Sequence, residues 1–131
     1  MKCRHCAHAV ALRFIDLGTA PPSNAYLTRA DLSGARLEFA VLGMADLSQA
    51  SFRGADLKRA NLVGTRGHHA DFTGADLYYS RPGNADFQGA NFAGANIERA
   101  IFRRANLAGA NLTRTAGAAN FENANMERAT R

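Results

Sequence analysis

The sequence predicts an all-β solenoid, a chain that bends at short, regular intervals and winds into a stacked coil. Three observations predict it. Counting every fifth residue from Leu27 to Leu112, sixteen of eighteen positions are Leu, Ile or Phe, among them Leu32, Leu57, Phe72 and Phe92. The residue two places before each is Ala in sixteen of the same eighteen. Two places after the apolar residue stands a recurrent glycine, at positions 34, 54, 64, 74, 89, 94 and 109.

The five-residue period rules out the commoner backbones. An α-helix turns about 100° per residue, so a step of five rotates by roughly 140° and smears the apolar set around the axis. A plain strand alternates with period two. Ala and Leu two apart then share one face, but the next repeat would flip sides. A bend in every repeat repairs the register. Glycine, which tolerates the backbone angles of tight turns, marks the bend. Coils wound this way pair as parallel ladders about 4.8 Å apart.

The composition agrees. The chain is 47% hydrophobic, much of it Ala, with no Trp, as a thin and regular interior requires. No stretch approaches the ~18 consecutive apolar residues of a membrane span. The start, Met1 to Phe14, has basic residues and a short apolar run. Arg13 and Asp16 interrupt it, and His5 and His8 stand where a leader's apolar core belongs, so the reading is a cytoplasmic protein. Sixteen Lys and Arg against eleven Asp and Glu give a net charge of +5, which favours an anionic partner surface.

The pentamers ADLSG, ADLKR, ANLVG, ADFTG, ANFAG, ANLAG and ANLTR resemble the A(D/N)LXX signature of the pentapeptide-repeat family, over residues 25 to about 129. The resemblance implies a right-handed quadrilateral β-helix with four repeats per square coil. The central Leu or Phe and the preceding small residue would point inward. That makes about five coils, on the order of 25 Å long. Phe52, Phe72 and Phe92, twenty apart, should then stack in one interior column.

The pattern breaks in three places. Gly67 and Pro82 stand where core Leu belongs, in Thr65–His69 and Ser80–Asn84. These breaks are read either as tolerated degeneracy or as aiming His68, His69 and Arg81 outward. After Leu112 the register slips, and Ala119-Asn120-Phe121 resumes one residue early, which places an irregular corner at residues 115–118.

Two domains follow: residues 1–24, a short non-repeat N-terminal cap, and residues 25–131, the solenoid. The cap, with Cys3, Cys6, Asp16-Leu17-Gly18, Pro22, Asn24 and Tyr26-Leu27, resembles the start of the zinc-binding domain of certain SAM-dependent C-methyltransferases. That resemblance implies zinc at Cys3 and Cys6. There is no third cysteine, so His5, His8 or a second copy would complete the four ligands zinc needs, or the thiols are free. No other cofactor is expected. Val10, Leu12, Phe14 and Ile15 could cover the open edge of the first coil, with Phe39, Val41 and Met44 packing beneath.

Stacking by twenty sets outward residues in columns. One reads Phe39, Arg59, Tyr79, Arg99; its neighbour reads Glu38, Lys58, Tyr78, Glu98. Phe39, Lys58, Arg59, Tyr78, Tyr79 and Arg99 are the candidate binding surface, rich in the Tyr and Arg that interfaces favour. Arg103, Arg104 and Arg114 are read as a further basic group. No nucleophile elbow, phosphate loop or zincin motif is present, so no catalytic residue and no enzymatic activity is expected.

The reading is a non-catalytic protein-interaction scaffold that presents flat faces to a protein partner; nucleic acid and membrane are not expected. One alternative, implied by the family resemblance, is a gyrase- or topoisomerase-binding protection protein, which the positive charge disfavours. Another is an accessory metal-binding protein of a methyltransferase-related pathway. The resemblance also implies a homodimer through the C-terminal coil, near Phe121 and Met126.

Overall fold

The computed structural model describes residues 26–131. The predicted cap, with Cys3 and Cys6, lies outside the described residues. From Tyr26 onward the chain turns every five residues. The residue before each core position bridges in parallel to its counterpart twenty places on, as in Tyr26↔Asp46, Asp46↔Arg66 and Asp56↔Asp76. Four five-residue sides therefore make one coil.

Each side is held by the same small set of bonds. Leu27 N–H donates to the Asp46 carbonyl at 2.8 Å, and Ser51 N–H to the Ala30 carbonyl at 2.8 Å. The corner is closed by Ala30 N–H to the Leu27 carbonyl at 3.0 Å. An Asp or Asn ahead of the corner often tightens it. Asp31 Oδ1 accepts the Ser33 N–H at 3.0 Å, and Asn61 Oδ1 the Val63 N–H at 3.1 Å. These are the side-chain turns that favour Asp and Asn here.

The second corner residue has positive φ, as a type II turn requires. The seven predicted glycines take φ of 64° to 68° there. Among the described residues, thirteen other side chains take it too, including Arg59 (58°), Tyr79 (57°) and Arg104 (60°). Glycine is thus the comfortable corner residue but not an obligatory one. The hydrogen-bond ladder imposes the angle on Arg, Tyr and Phe, at a local cost of roughly 1–2 kcal/mol each.

The interior is apolar and narrow. Leu27, Leu32, Leu57, Phe72, Ala40, Ala60 and their equivalents are fully buried. Phe52, Phe72 and Phe92 stack as the four-repeat coil implied, with ring centres 4.9 and 4.8 Å apart and planes within 6° and 3°. Where Ala gives way to Thr65, the buried hydroxyl donates to the Leu62 carbonyl at 3.0 Å.

The irregular repeats keep the coil. Gly67 and Pro82 both occupy buried core positions. Pro82 has no N–H, so the bond that Leu62 makes to the Arg81 carbonyl one coil earlier has no equivalent at Ile101. The slip also falls where expected. Asn96 still pairs with Ala116, twenty on, but Ile101 pairs with Asn120, nineteen on. Gly117, at φ 85°, sits in the shortened corner. Phe121 and Met126 of the last coil are only partly buried against the core.

Candidate interaction face

A corner residue with positive φ points its side chain away from the coil, and stacking by twenty sets such residues above one another. Phe39, Arg59, Tyr79 and Arg99 form one such column. The structure groups them in pairs. The Arg59 guanidinium lies 5.4 Å from the Phe39 ring centre, and that of Arg99 5.5 Å from the Tyr79 ring. Arg99 Nη1 also donates to the Tyr79 hydroxyl at 3.4 Å, a bond that raises the guanidinium pKa further. In each pair the guanidinium is drawn to the electron-rich face of the ring.

The neighbouring column joins only in part. The Tyr78 ring meets Tyr79 edge-on at 5.2 Å. Lys58 turns back along its own repeat, with Nζ 3.2 Å from the Asp56 carboxylate, a hydrogen bond that raises its pKa.

Beyond this corner lies the side built from residues 41–44, 61–64, 81–84, 101–104 and 120–123. Sequence reasoning left most of it out. Of the six large apolar side chains exposed among the described residues, Phe39 and Tyr79 stand on the corner, Met44, Val63 and Ile101 on this adjoining side, and Tyr26 on another side, in the column of Asp46. Met44 is the most open, at 62% exposed. Three arginines join them, Arg81, Arg103 and Arg104. A shallow notch of about 200 Å³ lies among them over Gly83. Only one acid, Glu122, belongs to the side, and it pairs with Arg103 at 3.4 Å. The signal was present in the columns Val63–Gly83–Arg103 and Arg81–Ile101, twenty residues apart.

Arg114, by contrast, is not part of this group. Gly94 N–H donates to the Thr113 carbonyl, which places Arg114 at the end of the column of Gly34, Gly54, Gly74 and Gly94 on another corner. His68 and His69 each lie against a neighbour of their own. His68 Nε2 bonds Asp86 Oδ2 at 2.7 Å, while the His69 ring lies where a side chain at Gly89 would be. Among the described residues no group of three or more His, Cys, Asp or Glu could hold a metal ion. On another side, Arg53 pairs with Asp71 at 3.0 Å.

The chain is similar to several solved structures. A pentapeptide-repeat protein of the Arabidopsis thaliana thylakoid lumen is 27% identical over 86% of this chain and 71% of its own, with a TM-score of 0.40. Rfr23 from the cyanobacterium Cyanothece 51142 is 26% identical over 93% of this chain and 80% of its own, with a TM-score of 0.30. QnrB1, a plasmid-mediated fluoroquinolone resistance protein, is 19% identical over 94% of this chain and 79% of its own, with a TM-score of 0.38. No curated protein matches. The family described as pentapeptide repeats (8 copies) matches residues 23–59, 45–80 and 83–115, well over half of the chain. With twenty-residue parallel pairing and the Ala/Leu interior, the chain belongs to the pentapeptide-repeat family, and its fold is the right-handed quadrilateral β-helix.

Proposed function

We propose that this protein is a non-catalytic interaction scaffold that binds a protein partner through the Phe39–Arg99 corner and the adjoining side. One observation carries the reading. Of the six large apolar side chains left open to solvent among the described residues, five gather on this corner and side, and arginines stand among them. Single exposed apolar residues need no explanation, but clusters rimmed by charge mark contact surfaces. Tyr and Arg are the residues that most often anchor interfaces. The excess of arginine over acid on this side favours an acidic partner surface.

Capture from the native host tests the reading, comparing the full chain with a variant carrying Arg59→Ala, Tyr79→Ala and Arg99→Ala. A specific partner should be recovered by the parent chain and lost or reduced with the variant. Equal recovery by both sinks the surface. Self-association through the C-terminal coil belongs to the same proposal, supported by the partly buried Phe121 and Met126. A Phe121→Glu chain should then elute later than the parent on gel filtration; a parent that elutes as a monomer removes this element.

A further inference from the structure

We propose that the notch over Gly83 is a receptor for a carboxylate side chain of the partner, a Glu or Asp flanked by an apolar residue. This deepens the scaffold reading and rests on it, by naming the chemistry of what the side binds.

The notch follows from the irregular repeat. Position 83 is the first corner residue, and in the coils on either side it is Val63 and Arg103. Gly83 leaves that step empty. A Cβ there would meet only the Arg103 carbonyl at 3.4 Å and the Ile101 carbonyl at 3.7 Å. Val63 and Ile101, each 38% exposed, wall the gap with apolar surface. Arg81, Arg103 and Arg104 surround it.

The charge is unspent. Glu122 engages Arg103, but among the described residues Arg81 and Arg104 form no ion pair. Guanidinium forks match a carboxylate in geometry, and bonds between them are charge-assisted. A carboxylate entering between Arg81 and Arg104 would be partly shielded from water by the apolar walls, which strengthens the attraction.

The features select a peptide over other occupants. Nucleic acid without sequence readout is held by a cationic groove together with aromatic faces for base stacking. Here Arg59 and Arg99 already lie over the rings of Phe39 and Tyr79. Apolar Val63, Ile101 and Met44 would face phosphates with nothing to offer them. A second copy docking the same side would bring its own Arg81, Arg103 and Arg104 against these, like charge to like. The sequence of residues 1–25 offers Lys2, Arg4 and Arg13 against a single acid, Asp16, which is mostly like charge.

The test uses the full chain and a fluorescein-labelled synthetic peptide of alternating Glu and Leu, read by anisotropy. The parent should bind it, less tightly as salt is raised. A peptide with Gln for every Glu should bind at least about tenfold more weakly, the worth of a charged hydrogen bond. Arg81→Gln with Arg104→Gln should weaken the Glu-Leu peptide by a similar factor. Gly83→Leu should do the same with the charge unchanged, by filling the notch. Arg114→Gln, on another corner, should leave binding as it is. The proposal is overturned if the Glu-Leu peptide does not bind, if the Gln peptide binds equally well, or if the notch variants retain binding. It is overturned equally if a single-stranded oligonucleotide binds in preference. The two readings fail separately. A host partner lost with the Arg59, Tyr79 and Arg99 changes, beside peptide binding indifferent to Arg81, Arg104 and Gly83, keeps the scaffold and removes the receptor.

Discussion

The ring of Phe87 occupies the space that a side chain at Gly67 would need, twenty residues earlier and one coil back: a Cβ built on Gly67 would lie 2.5 Å from Phe87 Cδ1. The two are a complementary pair, one missing a side chain and the other carrying a large one. Phe87 meets Phe72 and Phe92 edge-on, each at 5.4 Å. The first break in the repeat is therefore a packing exchange between neighbouring coils.

Gly67→Ala should destabilise the protein by about 1–3 kcal/mol, the usual cost of overpacking a filled core. Gly67 does not have positive φ, so backbone strain adds nothing. Adding Phe87→Leu should recover much of the loss. Denaturant melts of the two singles and the double form a cycle; strictly additive effects would show that the ring and the glycine are not coupled.

Gly54 and Gly43 separate the two roles of glycine. Gly54 has φ +64° and nothing within 4 Å of an added Cβ, so Gly54→Ala isolates backbone strain and should cost about 1–2 kcal/mol. Gly43 is the first corner residue, without positive φ, and an added Cβ would meet the Val63 carbonyl at an ordinary 3.5 Å. Gly43→Ala should be neutral or stabilising by up to about 1 kcal/mol. Equal melting shifts for the two would contradict the corner assignment.

The Asp86 carboxyl is lowered from its ordinary pKa. Burial pushes it up, but the hydrogen bonds from His68 and the Gln88 N–H, the His68 charge and the Asn106 amide together outweigh burial. A carboxyl depressed in the folded state stabilises the fold at pH values above its ordinary pKa. That stability is lost as pH falls through the lowered value. Both partners are well exposed, so the contribution is below about 1 kcal/mol. His68→Ala should therefore lower stability slightly near neutrality and by progressively less once acid protonates Asp86. Urea midpoints of parent and variant across that range check it; a gap that widens toward acid would reverse the sign.

Zinc at Cys3 and Cys6 is proposed from the cap's resemblance. Metal analysis of the purified chain should find zinc that is lost in Cys3→Ser and Cys6→Ser. A metal-free parent with two titratable thiols would remove the site.

What the sequence disclosed was what the interior enforces. Only small and apolar side chains fit inward, so the five-residue period and the slip after Leu112 were legible from spacing, and the Phe52–Phe72–Phe92 stack from the four-repeat coil that the family resemblance implied. The exterior is less constrained. Nothing local in Arg59 or Tyr79 announces positive φ; the ladder of neighbouring coils sets it. Phe87 filling the place of Gly67 depends on a rotamer from another coil. Lys58 turned to Asp56 because the nearer carboxylate won. Arg103 and Arg104 are near Arg114 in the chain, but the coil sets Arg114 on a different corner. The notch over Gly83 required reading three columns together.

Pro82 has a mechanical consequence. A solenoid is a one-dimensional stack, in which each coil is coupled only to its neighbours and the coupling is the sum of the rungs between them. Where Pro82 faces Ile101 one rung is missing, and the adjacent corner bond from Ala85 N–H to the Pro82 carbonyl is long, at 3.4 Å. The stack is weakest in cooperativity at that seam. Amide exchange on the two sides of it should part company first under mild denaturant, so that the C-terminal coils open as a unit while those before Pro82 stay closed.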